Sequence, residues 1–201
     1  MNYTGERIVP AHDDKPGQGN IDEHDLMYRE FLVAAKNNIV IDIACGCGYG
    51  TKMLAAKAKE VYGFDINPET VEFAKKYSSA PNIAYNVGDI RQIQAANNCA
   101  DVVVSVETFE HVVEVEQMIY EVQRVLKSKG FWCFTTPNGE RYPDHRIVQY
   151  HVKHYTAQML HNLLDKFFNI HIRETCLEPD SSLILDRPIF GNYSVFAIRK
   201  F

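Results

Sequence analysis

The sequence contains no run of about 18 consecutive apolar residues, the length a helix needs to cross a bilayer, so no membrane span is expected. The opening segment Met1–Arg7 lacks the apolar core of a secretory leader, and the expected location is the cytoplasm. Cysteine is scarce. There are five, an odd number without disulfide-framework spacing, and all five read as reduced thiols. Positive charge is in deficit, with 21 Lys and Arg against 26 Asp and Glu, a net charge of -5. Such a chain is a poor general ligand for phosphate backbone, which argues against extensive nucleic-acid contact and leaves room only for a local basic patch. No internal repeat or low-complexity tract occurs. What remains is 201 residues, 46% hydrophobic and 23% charged, a size and composition that suit one globular domain with a full core.

Strand and helix patterns alternate along the chain. Residues 1–20 carry Gly5, Pro10, Pro16, Gly17 and Gly19 and read as an irregular arm. A helix is expected over 22–36, then a buried strand over 38–44 and a helix over 49–58. A second strand follows over 60–64, and a helix over 68–76 with Pro68 at its start. Strands are expected over 82–87 and 101–105. Residues 115–127 place Val115, Met118, Ile119, Val122, Val125 and Leu126 three and four apart, the spacing of an amphipathic helix. A turn closing at Gly130 leads to a strand over 131–135. The last helix spans 156–168 with Thr156 as N-cap, and strands over 170–176 and 193–200 flank a linker over 177–192. The pattern predicts a doubly wound α/β fold with a mainly parallel sheet, helices on both faces and ligands at the carboxyl ends of the strands.

The first strand, ending in Asp42, runs into Gly46-Cys47-Gly48-Tyr49-Gly50 and then a helix. Glycines there permit a tight turn and close backbone approach to a ligand, and the helix start offers N–H groups. A nicotinamide fingerprint needs its third glycine at position 51, which is Thr51. Asp65 ends the second strand, where a carboxylate can accept both hydroxyls of an adenosine ribose. Asp89, in Gly88-Asp89-Ile90 after the third strand, can accept from an adenine amino group. Together they describe an adenosine pocket without a pyrophosphate. The alternative is that both aspartates only cap loops.

Residues 39–137 resemble class I S-adenosylmethionine-dependent methyltransferases in the glycine loop, the Gly63-Phe64-Asp65 acid, the Gly88-Asp89-Ile90 turn, and the run from Asp101 to His111 that leads to Arg124-Val125-Leu126 and Thr136-Pro137-Asn138. Thr4-Gly5-Glu6-Arg7 and His24 with Tyr28-Arg29 are similar to a bacterial and viral subgroup found with glycan-building enzymes. The resemblance implies a Rossmann-like, seven-stranded sheet whose last strand, Tyr193–Lys200, is antiparallel. It implies S-adenosylmethionine as methyl donor and S-adenosylhomocysteine as product. The implied cofactor contacts are Tyr28 and Arg29 on the first helix, then Asp42, Ala44, Cys45, Gly46, Gly48, Tyr49 and Gly50. Asp65, Ile66, Asp89, Ile90 and Val106 complete the set. For Arg29 a helix-surface salt bridge is the alternative.

The fourth strand is followed by Glu107-Thr108-Phe109-Glu110-His111, where the transferable methyl group is normally faced. A helical turn there would bring Glu107, Glu110 and His111 to one face. Two crowded carboxylates and an imidazole suit a divalent cation: Mg²⁺, Mn²⁺, Fe²⁺ or Zn²⁺. Without a metal, His111 is the base and the two glutamates orient it; in the plainest alternative, Glu110 and His111 only cap the helix and line the pocket. The Glu-x-x-Glu-His pattern is similar to that of small-RNA 3′-terminal 2′-O-methyltransferases. By that likeness His151 is the fourth ligand, although Lys153-His154 departs from the aromatic-acid pair of the RNA enzymes. Residues 138–155 form an insertion after the fifth strand, and His145, Tyr150, His154 and Tyr155 are the expected acceptor contacts. Arg141 and Arg146 either join them or stay solvated. His12, His161 and His171 read as surface residues.

The expected function is O-methylation of a sugar or glycan hydroxyl, metal-assisted or with His111 as general base. The alternatives are methylation of an RNA 3′ end or a small metabolite, and a non-catalytic S-adenosylmethionine-binding subunit.

Overall fold

The protein is described here from a computed structural model, which covers residues 21–144, 146, 149–175 and 191–200. The expected N-terminal arm, His12, His145 and most of the 177–192 linker lie outside these residues.

Helix α1 (Ile21–Ala35) precedes β1 (Ile39–Ile43), α2 (Tyr49–Ala55), β2 (Glu60–Asp65), α3 (Pro68–Tyr77), β3 (Ile83–Val87) and β4 (Ala100–Ser105). A 3₁₀ turn (Phe109–His111), α4 (Val115–Val125), β5 (Leu126–Pro137), α5 (Ala157–Leu164), β6 (Phe168–Thr175) and β7 (Asn192–Arg199) complete the order. The strands form one seven-stranded sheet in the order β3-β2-β1-β4-β5-β7-β6. β1 pairs in parallel with both β2 and β4, so the chain reverses its winding there. β7 is antiparallel to both of its neighbours, as the resemblance implies.

Local chemistry accounts for the element ends. Asn67 accepts from Thr70 N–H at 3.1 Å and Pro68 opens α3. Thr156 accepts from Met159 N–H at 3.2 Å, the expected N-cap of α5. α5 stops at Leu164, and Phe168, fully buried and paired with Arg199, already belongs to β6. Burial of a large aromatic thus ends the helix earlier than its apolar spacing suggests. α4 ends at Val125 rather than 127, because Leu126 already pairs with Ala100. The expected turn over 127–130 is instead an irregularity within β5, with Lys129 at φ 61.

Two apolar layers flank the sheet. On one face Met118, Ile119, Val122 and Val125 of α4 pack with Phe109, Trp132, Phe134 and Phe168. On the other, Met27, Tyr28, Phe31 and Ala35 of α1 pack with Leu54, Val102 and Val104. Each fully buried aliphatic or aromatic side chain contributes about 1.5–3 kcal/mol, enough to hold the strand ends in register. No helix among the described residues is long and apolar enough to cross a membrane.

Candidate active site

A cavity of about 470 Å³ opens at the carboxyl ends of β1–β4. Its lining includes Tyr28, Ala44, Cys45, Gly46, Tyr49, Asp65, Ile66, Asp89, Ile90 and Val106 of the expected cofactor contacts.

The turn after β1 is built on left-handed backbone at Ala44, Gly46 and Gly48 (φ 56, 55 and 79). Gly46 donates its N–H to Asp65 Oδ2 at 3.0 Å, and Asn67 N–H donates to Asp65 Oδ1 at 2.9 Å. The carboxylate is therefore aimed by backbone, and each oxygen keeps a second acceptor direction for a ribose hydroxyl. The three glycines have different duties. A Cβ on Gly46 would meet nothing within 4 Å, because this glycine faces the cavity. A Cβ on Gly48 would stand 2.5 Å from the Tyr85 hydroxyl, and one on Gly50 2.1 Å from the Tyr28 ring. Gly48 and Gly50 thus make room for two tyrosines, and neither is among the residues that line the cavity.

Asp42 does not line it either. It is fully buried and accepts from Thr51 Oγ1 at 2.6 Å and from the Tyr28 hydroxyl at 3.3 Å. Burial raises its carboxyl to about 7. Thr51, at the position where a nicotinamide loop has glycine, is the side chain that binds this aspartate. Arg29 lies on the outer face of α1, paired with Asp25 at 2.5 Å, and does not reach the cavity.

His24, Arg91, Thr108, Val112, Val113 and Glu114 line the cavity without having been expected there. His24 sits one helical turn before Tyr28, and that i,i+4 spacing was the available signal. Its Nδ1 lies 2.7 Å from the Tyr49 hydroxyl, and burial lowers its pKa to about 4, so the ring is neutral. Arg91 grips both oxygens of Asp89 and reaches Glu114 at 2.6 Å, tying the β3 loop to the start of α4. These hydrogen bonds hold the Asp89 carboxyl below its ordinary value.

At the other end Glu107, Thr108 and His111 line the cavity. Glu107 has φ 47, and its N–H donates to Thr135 Oγ1 at 3.1 Å. This left-handed residue breaks the helical phase assumed from sequence, and the turn begins only at Phe109. The residues that converge are therefore Glu110, His111 and His151, with ligand atoms within 4.8 Å of one another. Glu107 is not in that group. Glu110 is buried, accepts from Thr136 Oγ1 at 3.0 Å and places Oε1 3.7 Å from His111 Nε2.

The 138–155 segment is pinned at its stem by a bridge between Asn138 and Tyr155 and by Gly139 N–H donating to the Tyr155 carbonyl at 2.9 Å. It also docks on the turn, because Val152 and Lys153 N–H donate to the Glu110 carbonyl at 2.8 and 3.3 Å. Among the expected acceptor contacts, Tyr155 is 3% exposed and packs edge-on against Phe109, so it belongs to the core. His154 is also buried and bonded to His151. Tyr150 is exposed at the surface and contributes its backbone carbonyl, 3.1 Å from His111 Nδ1.

Residues 41–134 match the family model of a methyltransferase domain. A solved S-adenosylmethionine-dependent methyltransferase from Mesorhizobium loti superposes with a TM-score of 0.72 over 88% of this chain and 98% of its own, at 20% identity. The fold is that of the class I methyltransferases. A Mycolicibacterium smegmatis protein named as a probable S-adenosylmethionine-dependent methyltransferase is 26% identical over 82% of this chain and 64% of its own. A Coxiella burnetii ubiquinone biosynthesis O-methyltransferase is 29% identical over 56% of this chain and 49% of its own. The sterol 24-C-methyltransferase of Saccharomyces cerevisiae is 25% identical over 78% of this chain and 41% of its own. The chain thus spans less than two thirds of the length of these curated relatives. By name, these relatives include both an O- and a C-methyltransferase.

Proposed function

We propose that the protein transfers the methyl group of S-adenosylmethionine to a hydroxyl oxygen, with a sugar or glycan as the acceptor class. The observation that carries this reading is one cavity lined by the Asp65 and Asp89 carboxylates at one end and by His111 at the other. Methyl transfer is an in-line displacement: the carbon–sulfur bond breaks as the carbon–oxygen bond forms, and S-adenosylhomocysteine leaves. The hydroxyl must give up its proton, and an imidazole whose unperturbed pKa lies near neutrality is suited to take it. His111, at the cavity wall with Nε2 toward Glu110, is the group in position. Such a base favours oxygen over carbon as the nucleophile. Glu107, Thr108 and His111 at that end of the cavity suit a hydroxyl-rich acceptor, while net charge -5 disfavours RNA.

Glu110, His111 and His151 also fit a divalent cation, as one carboxylate and two imidazoles already oriented by Thr136, Tyr150 and His154. A divalent cation such as Mg²⁺ or Mn²⁺ held by these residues would supply Lewis acidity, which favours loss of a proton from an acceptor hydroxyl. The chain's own part is to hold the carboxylate and both rings in place.

The test is a screen of glycosides, nucleic-acid ends and small acids for S-adenosylmethionine-dependent gain of one methyl mass, with and without EDTA. Methyl gain on a glycoside hydroxyl is expected. EDTA inhibition reversed by Mn²⁺ or Mg²⁺ supports the metal-assisted version, and full activity in chelator rejects it. Methylation only at carbon, or at nucleic-acid ends, overturns the acceptor reading.

A further inference from the structure

Both histidines beside Glu110 are held from behind by groups that dictate where their protons sit. Nδ1 of His111 lies 3.1 Å from the Tyr150 carbonyl oxygen. Nδ1 of His154 lies 2.5 Å from the Tyr142 carbonyl oxygen. A carbonyl oxygen only accepts, so both of these nitrogens carry hydrogen. In a neutral His154 ring the Nε2 atom is then an acceptor. It lies 2.6 Å from Nδ1 of His151, so that nitrogen donates to it. The proton order runs His151 to His154 to the Tyr142 carbonyl. His151 and His111 stand with ring centroids 4.8 Å apart and planes at 87°, next to the Glu110 carboxylate.

We propose that His154 is a positioning residue that, through this relay, holds His151 in the Nδ1–H tautomer, so that His111 and His151 both offer Nε2 as a lone-pair donor beside Glu110. The role departs from the sequence expectation, which set His154 against the acceptor. It also explains why a histidine, with an acceptor and a donor on opposite edges, occupies a buried site 8% exposed between an imidazole and a carbonyl. An imidazole in the other tautomer would turn an N–H toward the carboxylate and could bind neither a cation nor a proton there. The use made of the Nε2 pair rests on the function proposed above; the tautomers do not.

The test is nuclear magnetic resonance of the full chain labelled with ¹⁵N-histidine, at a pH above imidazole titration, with neither cation nor cofactor. Long-range proton–nitrogen correlations distinguish the two tautomers, and signals are assigned by loss in His151→Asn and His111→Asn. Both rings are expected as Nδ1–H in the unaltered protein. His154→Phe removes the acceptor and keeps the bulk, and should move His151 to a mixture or to Nε2–H. His154→Gln places an amide oxygen near the former Nε2 and should restore Nδ1–H. In a Mn²⁺ titration followed by electron paramagnetic resonance, His154→Phe should bind about 10–100-fold more weakly, and His154→Gln within a few-fold of the parent. His151 found as Nε2–H in the unaltered protein overturns the proposal, and that measurement needs no variant. An unchanged His151 signal in folded His154→Phe also overturns it. The expected tautomers without Mn²⁺ uptake would sink the metal reading and leave the positioning role standing.

Discussion

At one end of the cavity both carboxylates, Asp65 and Asp89, come from a strand end or from the turn directly after it. Asp65 is aimed by Gly46 and Asn67, and Asp89 by Arg91 two residues away. At the reacting end the group is gathered from distant parts of the chain: Glu110 and His111 follow β4, Thr136 ends β5, and His151 arrives on a segment pinned at Asn138 and Tyr155. The first end is local and rigid, and it is the part that a common cofactor asks of many proteins. The second is non-local and depends on a docked loop, where acceptor differences can be written. Binding of the donor and turnover of the acceptor should therefore be separable by mutation.

The largest effect should come from the reacting end. His111→Ala should lower kcat by about 10²- to 10⁴-fold and leave the Kd for S-adenosylmethionine, measured by calorimetry, within a few-fold. Loss of donor binding instead would show that the two ends are one unit.

The next effect belongs to Asp42, buried behind the glycine loop, and is a pH dependence of stability. Burial lifts the Asp42 carboxyl from 3.8 to about 7. The unfolded chain gives up this proton near 3.8, while the folded chain holds it to about 7. The stabilisation is thus fully present below 3.8 and is lost as pH rises to about 7. Asp42→Asn should flatten that decline in denaturant melts by up to ~4 kcal/mol. A decline unchanged in Asp42→Asn would mean that this carboxyl binds its proton alike in the folded and unfolded chains.

Gly50→Ala comes third. Its methyl would collide with the Tyr28 ring and force α1 outward, costing about 1–3 kcal/mol and lowering Tm. The same change in a Tyr28→Ala background should cost much less, and equal costs in the two backgrounds would remove Tyr28 as the reason for this glycine. The smallest effect should be a gain. Glu107→Gly relaxes a left-handed backbone and should stabilise by up to ~1 kcal/mol while reducing turnover. A fall in Tm would show that the Glu107 side chain contributes more than its backbone costs.

The contrast between the two ends also governs what a reader of the sequence can see. Gly46, Asp65 and Asp89 were legible because each depends on a strand–turn pattern a few residues long. The strands were legible as short apolar runs alternating with helical segments, and the antiparallel β7 followed from family likeness. The purpose of Gly48 and Gly50 was not legible, because Tyr85 and Tyr28, which need their space, lie 37 and 22 residues away. Glu107 was placed on the wrong face because spacing rules assume a helix, and a positive φ at a glutamate has no sequence signature. Tyr155 read as an acceptor contact because aromatic residues suit binding sites and cores equally. Its position against Phe109, 46 residues earlier, decides the matter. His24 and Arg91 were visible in principle, one through its spacing from Tyr28 and the other through its nearness to Asp89.

The stem that joins Asn138 to Tyr155 has an evolutionary consequence. A loop whose two ends are tied to each other, and whose base rests on the sheet, can exchange its interior without disturbing the strands that carry it. The stem lets the loop it closes vary while the strands that carry it keep their register.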